Sequence, residues 1–238
     1  MSLPVAVLAG GLATRLGAVT SQVPKILLDV AGRPFAEHQL ELLRRAGVSH
    51  VVYCLGHLGE CVEAALGDGS AWRMRFEYVR DGPTLVGTGG AVRQALPRLG
   101  RAFFVMYGDS YLECDLGAIE AAFRASGRLG LMTVYHNDDR FDRSNVQFVD
   151  GRVLKYDKVR RDAAMHHIDY GVGILTPEAF GPWQDMGGPL DLAAVYQSLI
   201  ASGALAGYEV GSRFYEIGSP EGLRETRALL EARARSVR

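Results

Sequence analysis

The chain has 238 residues, 48% of them hydrophobic, and 26 Lys and Arg against 27 Asp and Glu give a formal net charge of -1. That length suits one large domain with material for a substantial core, and the balanced charge removes any argument for a nucleic-acid or membrane surface, both of which want a basic excess. Three widely spaced cysteines (Cys54, Cys61, Cys114), no signal-type leader and no apolar run near the ~20 residues of a spanning helix read as reduced thiols in a soluble cytoplasmic protein.

In chain order, Leu3–Leu8 reads as a buried strand, followed by Ala9-Gly10-Gly11 and no regular helix. Adjacent glycines let the backbone turn sharply and bring its N–H groups close to an anion. Thr14, Arg15 and Lys25 lie on the same short segment. A glycine turn, an arginine fork and a lysine in one loop describe a polyphosphate cradle. It is not the Rossmann fingerprint, because the glycines are adjacent and Pro24 interrupts any helix. Nor is it a P-loop, because Lys25 lies too far from Gly11 and no hydroxyl follows it.

Ile26–Val30 reads as a short strand before a turn at Ala31-Gly32. Pro34–Ala46 reads as a helix stopped by Gly47. His50–Leu55 is a strand, Leu58–Leu66 a helix, Phe76–Val79 a strand, and Gly89–Leu96 a helix halted before Pro97. Ala102–Tyr107 is a buried strand and Leu116–Ala125 a helix. Strands alternating with helices predict a parallel sheet covered on both faces. Beyond it, Gly130–Tyr135, Val146–Val149, Val153–Tyr156 and Ile168–Leu175 are strand-like, with a tight turn at Asp150-Gly151, and suggest a mixed sheet built onto the first. Leu190–Ala201 reads as a helix and Phe214–Ile217 as a last strand. Ser219 caps a final helix that has Pro220 at its first position. His166 and His167 would point in opposite directions along a strand and read as surface residues. No repeat or linker divides the chain. It is expected to be one domain, 1–238, in two halves, 1–128 and 129–238.

The strings Leu8 to Leu16, Pro24 to Leu28 and Gly32-Arg33-Pro34 resemble the signature of the sugar-1-phosphate nucleotidyltransferases. The resemblance continues through Gly87-Thr88-Gly89-Gly90-Ala91, Gly108-Asp109 and Ile217-Gly218-Ser219-Pro220-Glu221, in the family's order and over nearly the whole chain. It implies a Rossmann-like three-layer αβα nucleotidyltransferase fold of glycosyltransferase-A type, with a mixed, mostly parallel central sheet. The hexapeptide-repeat extension of some larger members is not expected. The implied reaction joins a nucleoside triphosphate to a sugar 1-phosphate and releases pyrophosphate.

Site residues follow from the same resemblance. Leu8, Ala9, Gly10, Gly11, Thr14 and Arg15 would hold the nucleotide, while Gly87, Thr88 and Gly89 would lie against its base. Asp109 would hold Mg²⁺, and Glu216 is the candidate second ligand at a position where the family commonly has Asp or Asn. Arg15, Lys25 and Asp109 would be the catalytic groups. Lys25, Asn145, Asp157, Lys158 and Gly171 would line the sugar-phosphate site. Here Asp157 replaces the family's usual Glu, Val159 its Pro, and Asn145 its frequent Gly. Asp169 could accept from sugar hydroxyls or cap a turn.

The strings look most like the heptose or mannose 1-phosphate guanylyltransferases, so GTP is the expected nucleotide. Uridylyl or thymidylyl transfer to another sugar phosphate stays open, as does a phosphocholine-type cytidylyltransferase. A non-catalytic nucleotide-sugar-binding protein is disfavoured by retention of the arginine, the lysine and the metal acid. Oligomeric state is not readable from the sequence.

Overall fold

A computed structural model describes residues 2–11, 23–82, 84–160 and 162–236. Thr14 and Arg15 lie outside the described residues. In chain order the elements begin with β1 (Val5–Leu8), β2 (Asp29–Val30), β3 (Arg33–Pro34), α1 (Phe35–Arg45), β4 (His50–Leu55), α2 (Gly59–Leu66) and β5 (Arg75–Arg80). Next come α3 (Gly87–Leu99), β6 (Phe103–Tyr107), β7 (Ser110–Tyr111), α4 (Leu116–Ser126) and β8 (Gly130–His136). The chain continues through β9 (Val146–Val149), β10 (Arg152–Tyr156), β11 (His167–Leu175), α5 (Leu192–Ala201), β12 (Leu205–Glu209), β13 (Tyr215–Glu216) and α6 (Pro220–Ser236).

Strands β6, β1, β4 and β5 form a parallel run. The long β11 pairs antiparallel with β6 and carries the sheet into the second half, with β8 and β9 also antiparallel to it and β12 parallel to β8. The result is the mixed central sheet expected from the sequence.

Alternation along the strands explains the three layers. Val5, Val7, Val51, Tyr53, Phe104 and Met106 point to one face, where Leu40, Leu43, Val62, Ile119 and Phe123 of α1, α2 and α4 cover them. Ala6, Val52, Cys54, Phe103 and Val105 point to the other face, under Val92, Ala95 and Leu99 of α3 and Val195, Tyr196 and Leu199 of α5. A smaller cluster joins Val30, Phe35, Tyr111, Ile217 and Leu230, docking α6 beside the strand ends.

Three local readings are corrected. Ile26–Val30 is not one strand: Leu27 and Leu28 donate to Pro24 and Lys25 carbonyls in a 3-10 turn, and only Asp29–Val30 pairs, with Arg33–Pro34. The alternate burial of Ile26, Leu28 and Val30 is real, but a turn produced it. Helix α3 runs through Pro97, because Leu99 in its last turn is fully buried and anchors that turn to the core. Leu205–Glu209, given no element from the sequence, is a strand: Gly207 lies where a Cβ would come within 2.6 Å of the Phe148 ring, so the residue that weakens the strand signal is what lets it pack.

Candidate functional site

The carboxyl ends of β1, β4 and β6 open into a cavity of about 240 Å³. It is lined by Leu8 to Gly11, Lys25 and Asp109 together with Cys54, Asp81, Leu85, Gly87 and Thr88, among others. Glycines set these approaches. Gly10 faces Gly56, and a Cβ on Gly10 would lie 2.9 Å from the Gly56 nitrogen. Gly108 donates to the Leu8 carbonyl at 2.9 Å, bringing Asp109 beside the first loop. Gly87 opens α3 at φ +75°, with no room for a side chain against the Leu190 carbonyl. The buried Gln39 of α1 donates to the Tyr107 and Ser110 carbonyls and fixes the turn that carries Asp109.

Lys25 Nζ donates to Asp109 Oδ2 at 2.9 Å across this cavity. Glu216 arrives from β13, which pairs with β7 directly after Asp109. Tyr215 and Ile217 pack with the α6 cluster, as alternation requires. The Glu216 carboxylate accepts from the Gly218 N–H, from the Ser219 N–H at 3.1 Å and from the Ser219 hydroxyl at 2.5 Å. Ser219 Oγ in turn accepts from Gly222 N–H at 3.0 Å, capping α6. A Cβ on Gly218 would sit 2.7 Å from Glu216 Oε2, 3.0 Å from Asp109 Oδ2 and 3.4 Å from Lys25 Nζ. The structure therefore brings both acids and the lysine around one point. Two carboxylates with room for water and phosphate oxygens suit a hard divalent cation. No group of three or more His, Cys, Asp or Glu side chains placed to hold a metal occurs among the described residues, so such an ion would draw its other ligands from substrate and solvent.

That crowding gives a direct test. Gly218→Ala is expected to lower turnover about tenfold or more by pushing these three groups apart, while leaving the thermal midpoint within a few degrees. Unchanged turnover in a pyrophosphate-release assay would remove this point from the reacting centre.

A second cavity of about 430 Å³ shares Tyr107 with the first and is lined by Asn145, Asp157, Lys158, Asp169, Gly171 and Glu216, among others. Lys158 Nζ donates to the Tyr107 hydroxyl at 3.1 Å and lies 5.3 Å and 5.7 Å from the Tyr107 and Tyr156 ring centroids. Desolvation, with Asp169 next in weight, pushes the Tyr107 hydroxyl well above its usual range, so it stays protonated. Tyr156 donates to Asp169 Oδ2 at 2.8 Å, while Asp169 Oδ1 accepts from Gly171 N–H at 3.1 Å. Asn145 Oδ1 accepts from the Asp169 N–H at 2.9 Å. Gly171, at φ +99°, passes close to Leu112 and Ser110. Asp157 Oδ1 accepts from the Val159 and Arg160 N–H groups, and those bonds, Arg160's first, hold its carboxyl below the usual range.

Two placements differ from the sequence reading. Gly89 does not line the first cavity: its N–H donates to the Leu190 carbonyl at 2.8 Å, and a Cβ there would meet Leu190 at 2.8 Å. It serves helix packing. His167 is not a surface residue, since only 12% of its side chain is exposed, between Glu209 and the Phe148 ring. Sequence reasoning also missed Tyr107, Asp81, Gly56 and Gln39. Tyr107 hid inside an apolar strand, while Asp81 looked like an ordinary loop residue after β5.

Comparison with known proteins shows which family and fold the chain is similar to. A family model described as the MobA-like NTP transferase domain matches residues 5–209. The N-acetylmuramate alpha-1-phosphate uridylyltransferase of Neisseria meningitidis is 30% identical over 238 residues, covering 95% of this chain and 97% of that protein. A mannose-1-phosphate guanylyltransferase of Mycobacterium tuberculosis is 29% identical over 220 residues, covering 90% of this chain and 61% of the relative's length. In fold, the chain superposes on HddC from Yersinia pseudotuberculosis, solved as a complex with GMP-PN, with a TM-score of 0.78 and 21% identity, covering 96% of this chain and 99% of that one.

Proposed function

The chain belongs to the MobA-like NTP transferase family, and on that premise we propose that it joins GTP to a heptose or mannose 1-phosphate, releasing pyrophosphate and forming a GDP-sugar. The carrying observation is the junction of two cavities at Tyr107, with Lys25, Asp109 and Glu216 gathered around one point beside it. A nucleotide in the first cavity and a sugar phosphate in the second would meet there. The 1–128 half supplies the nucleotide side and the 129–238 half most of the sugar side.

A phosphate oxygen of the sugar attacks the α-phosphorus as the bond from that phosphorus to the β-phosphate oxygen breaks. The barrier is the approach of two anions, so positioning and charge neutralisation carry the catalysis. The N–H groups of Gly10 and Gly11, with Arg15, hold the departing β- and γ-phosphates. Lys25 lies against the reacting phosphate, and Lys158, braced by Tyr107, orients the sugar phosphate. Asp109 and Glu216 would hold Mg²⁺, which supplies neutralisation of charge on the phosphates. The attacking phosphate is ionised near pH 7, and no general base is needed. No helix among the described residues is long and apolar enough to cross a membrane.

The neisserial relative favours a second reading, uridylyl transfer to an amino-sugar 1-phosphate. The deciding assay is pyrophosphate release from GTP, UTP, dTTP and CTP against a panel of sugar 1-phosphates and phosphocholine, with Mg²⁺. Turnover of GTP with mannose or heptose 1-phosphate is expected. Silence across all combinations would end the transferase reading, and turnover confined to UTP would select the second.

A further inference from the structure

Residues 137–145 form a loop between β8 and β9 that is bonded largely to itself. The buried Asn137 donates from Nδ2 to the Asp142 carbonyl at 2.6 Å and to Ser144 Oγ at 3.2 Å, and the Ser144 N–H donates to Asp139 Oδ1 at 2.8 Å. The two ends are tied to the start of β11, the Asn137 and Asp138 N–H groups donating to the His166 carbonyl and the Asn145 N–H to the His167 carbonyl. Phe141 stands at the tip, and there the loop meets a distant part of the chain. The Arg213 guanidinium carbon lies 3.7 Å from the Phe141 ring centroid and 4.6 Å from that of Tyr215 in β13. Phe214 adds an edge-on contact to the Phe141 ring at 6.2 Å. Arg213 also pairs with Glu225 of α6, yet its Nε–H is buried and makes no hydrogen bond among the described residues. A guanidinium that leaves a buried donor unspent is held through its flat face as well as its edge.

The contact joins two parts of one cavity wall. Asp142 to Asn145 line the second cavity from the loop, while Phe214 and Glu216 line it from β13 and the residue before it. We propose that Arg213 is a positioning residue for the sugar phosphate: stacked on Phe141, it clasps the 137–145 loop to β13 and so sets the span across which Asn145 and Glu216 flank one ligand. This inference rests on the second cavity taking the sugar phosphate, and deepens that reading by naming what holds the cavity to size. Arg140 lies 5.7 Å from the same ring, but it belongs to the loop and donates to the Asn137 and His136 carbonyls, so it bridges nothing. Planarity is what the clasp uses. A guanidinium stacks on a ring, whereas a lysine ammonium is a hydrated point charge that keeps an ion pair but not a stack.

Three variants of the whole chain separate the stack from the ion pair. Arg213→Lys keeps a cation beside Glu225 but loses the planar contact. Phe141→Leu keeps an apolar tip but loses the ring, and Glu225→Ala removes the ion pair while leaving the stack. The experiment reads KM for mannose 1-phosphate in pyrophosphate release with GTP and Mg²⁺, or for the pair that the panel above selects, beside a calorimetric Kd for the triphosphate alone. Arg213→Lys and Phe141→Leu should each raise the sugar KM about fivefold or more, the scale of one cation–π contact, with the triphosphate Kd within about twofold of wild type. The double variant should lose no more than the worse single one, because both break the same contact. Glu225→Ala should leave the sugar KM unchanged. A sugar KM unchanged in Arg213→Lys, or losses that multiply in the double variant, would overturn the inference alone. So would a parallel rise of KM and Kd, the mark of a merely structural arginine, or a Glu225→Ala that behaves like Arg213→Lys. Wild-type protein silent with every pair would overturn the transferase reading and this inference with it.

Discussion

Asp109→Asn is expected to lower kcat for pyrophosphate release by about 10²- to 10³-fold, the scale reported for removing one preorganised charge-stabilising group. The substitution is nearly isosteric. The backbone carbonyl of residue 109 would still accept from the Ile217 N–H at 2.9 Å, so β13 and the Glu216 turn keep their attachment. What is lost is one of two negative oxygens around the Gly218 point and the partner of Lys25. Asn offers a neutral oxygen, a poorer donor to a hard cation. The fall should therefore appear in kcat at saturating substrates, with a thermal midpoint close to that of the wild type. A kcat within threefold of wild type would remove Asp109 from the chemistry.

The sequence reveals most where function is written in backbone constraint. Gly10, Gly87 and Gly108-Asp109 are visible because a close approach or a positive φ demands glycine there, and those demands are local. The alternating strands and helices of the first half are visible for the same reason: each element carries its own period. Side chains that act at a distance are harder to see. Tyr107 belongs to the apolar run Phe103–Tyr107, and only its hydroxyl, reaching Lys158 some 51 positions away, sets it apart. Glu216 is recognisable as an unusual acid, but not as the brace of its own turn, because the bonds from Gly218 and Ser219 depend on how α6 begins. Gly89 shows the converse error. Its place in a glycine-rich string suggests a ligand, whereas the close packing of α3 on Leu190 is what requires it. Val159, in place of the family's Pro, leaves an N–H that Asp157 accepts from, so that departure is absorbed within the loop.

Lys25→Met should be the second severe variant, and it separates charge from packing. The lysine side chain is only 17% exposed, and methionine preserves most of its apolar stem while deleting the ammonium. Among the described residues, deleting that charge leaves Asp109 and Glu216 near each other without a cation between them, whereas Asp109→Asn relieves that same repulsion. In the absence of ligands the midpoint of Lys25→Met should therefore lie below that of Asp109→Asn, despite similar losses of about 10²- to 10³-fold in kcat. Both side chains border the first cavity, and under the proposed function the polyphosphate would compete with Asp109 for the ammonium. The two residues thus act as one unit, and the double variant should lose far less than the product of the single losses. Differential scanning fluorimetry of the three proteins, with their kcat values at saturating substrate, reads both expectations. Multiplicative kcat losses would mean that Lys25 and Asp109 serve separate steps, and a reversed order of midpoints would mean that Glu216 does not feel Asp109 in the resting chain.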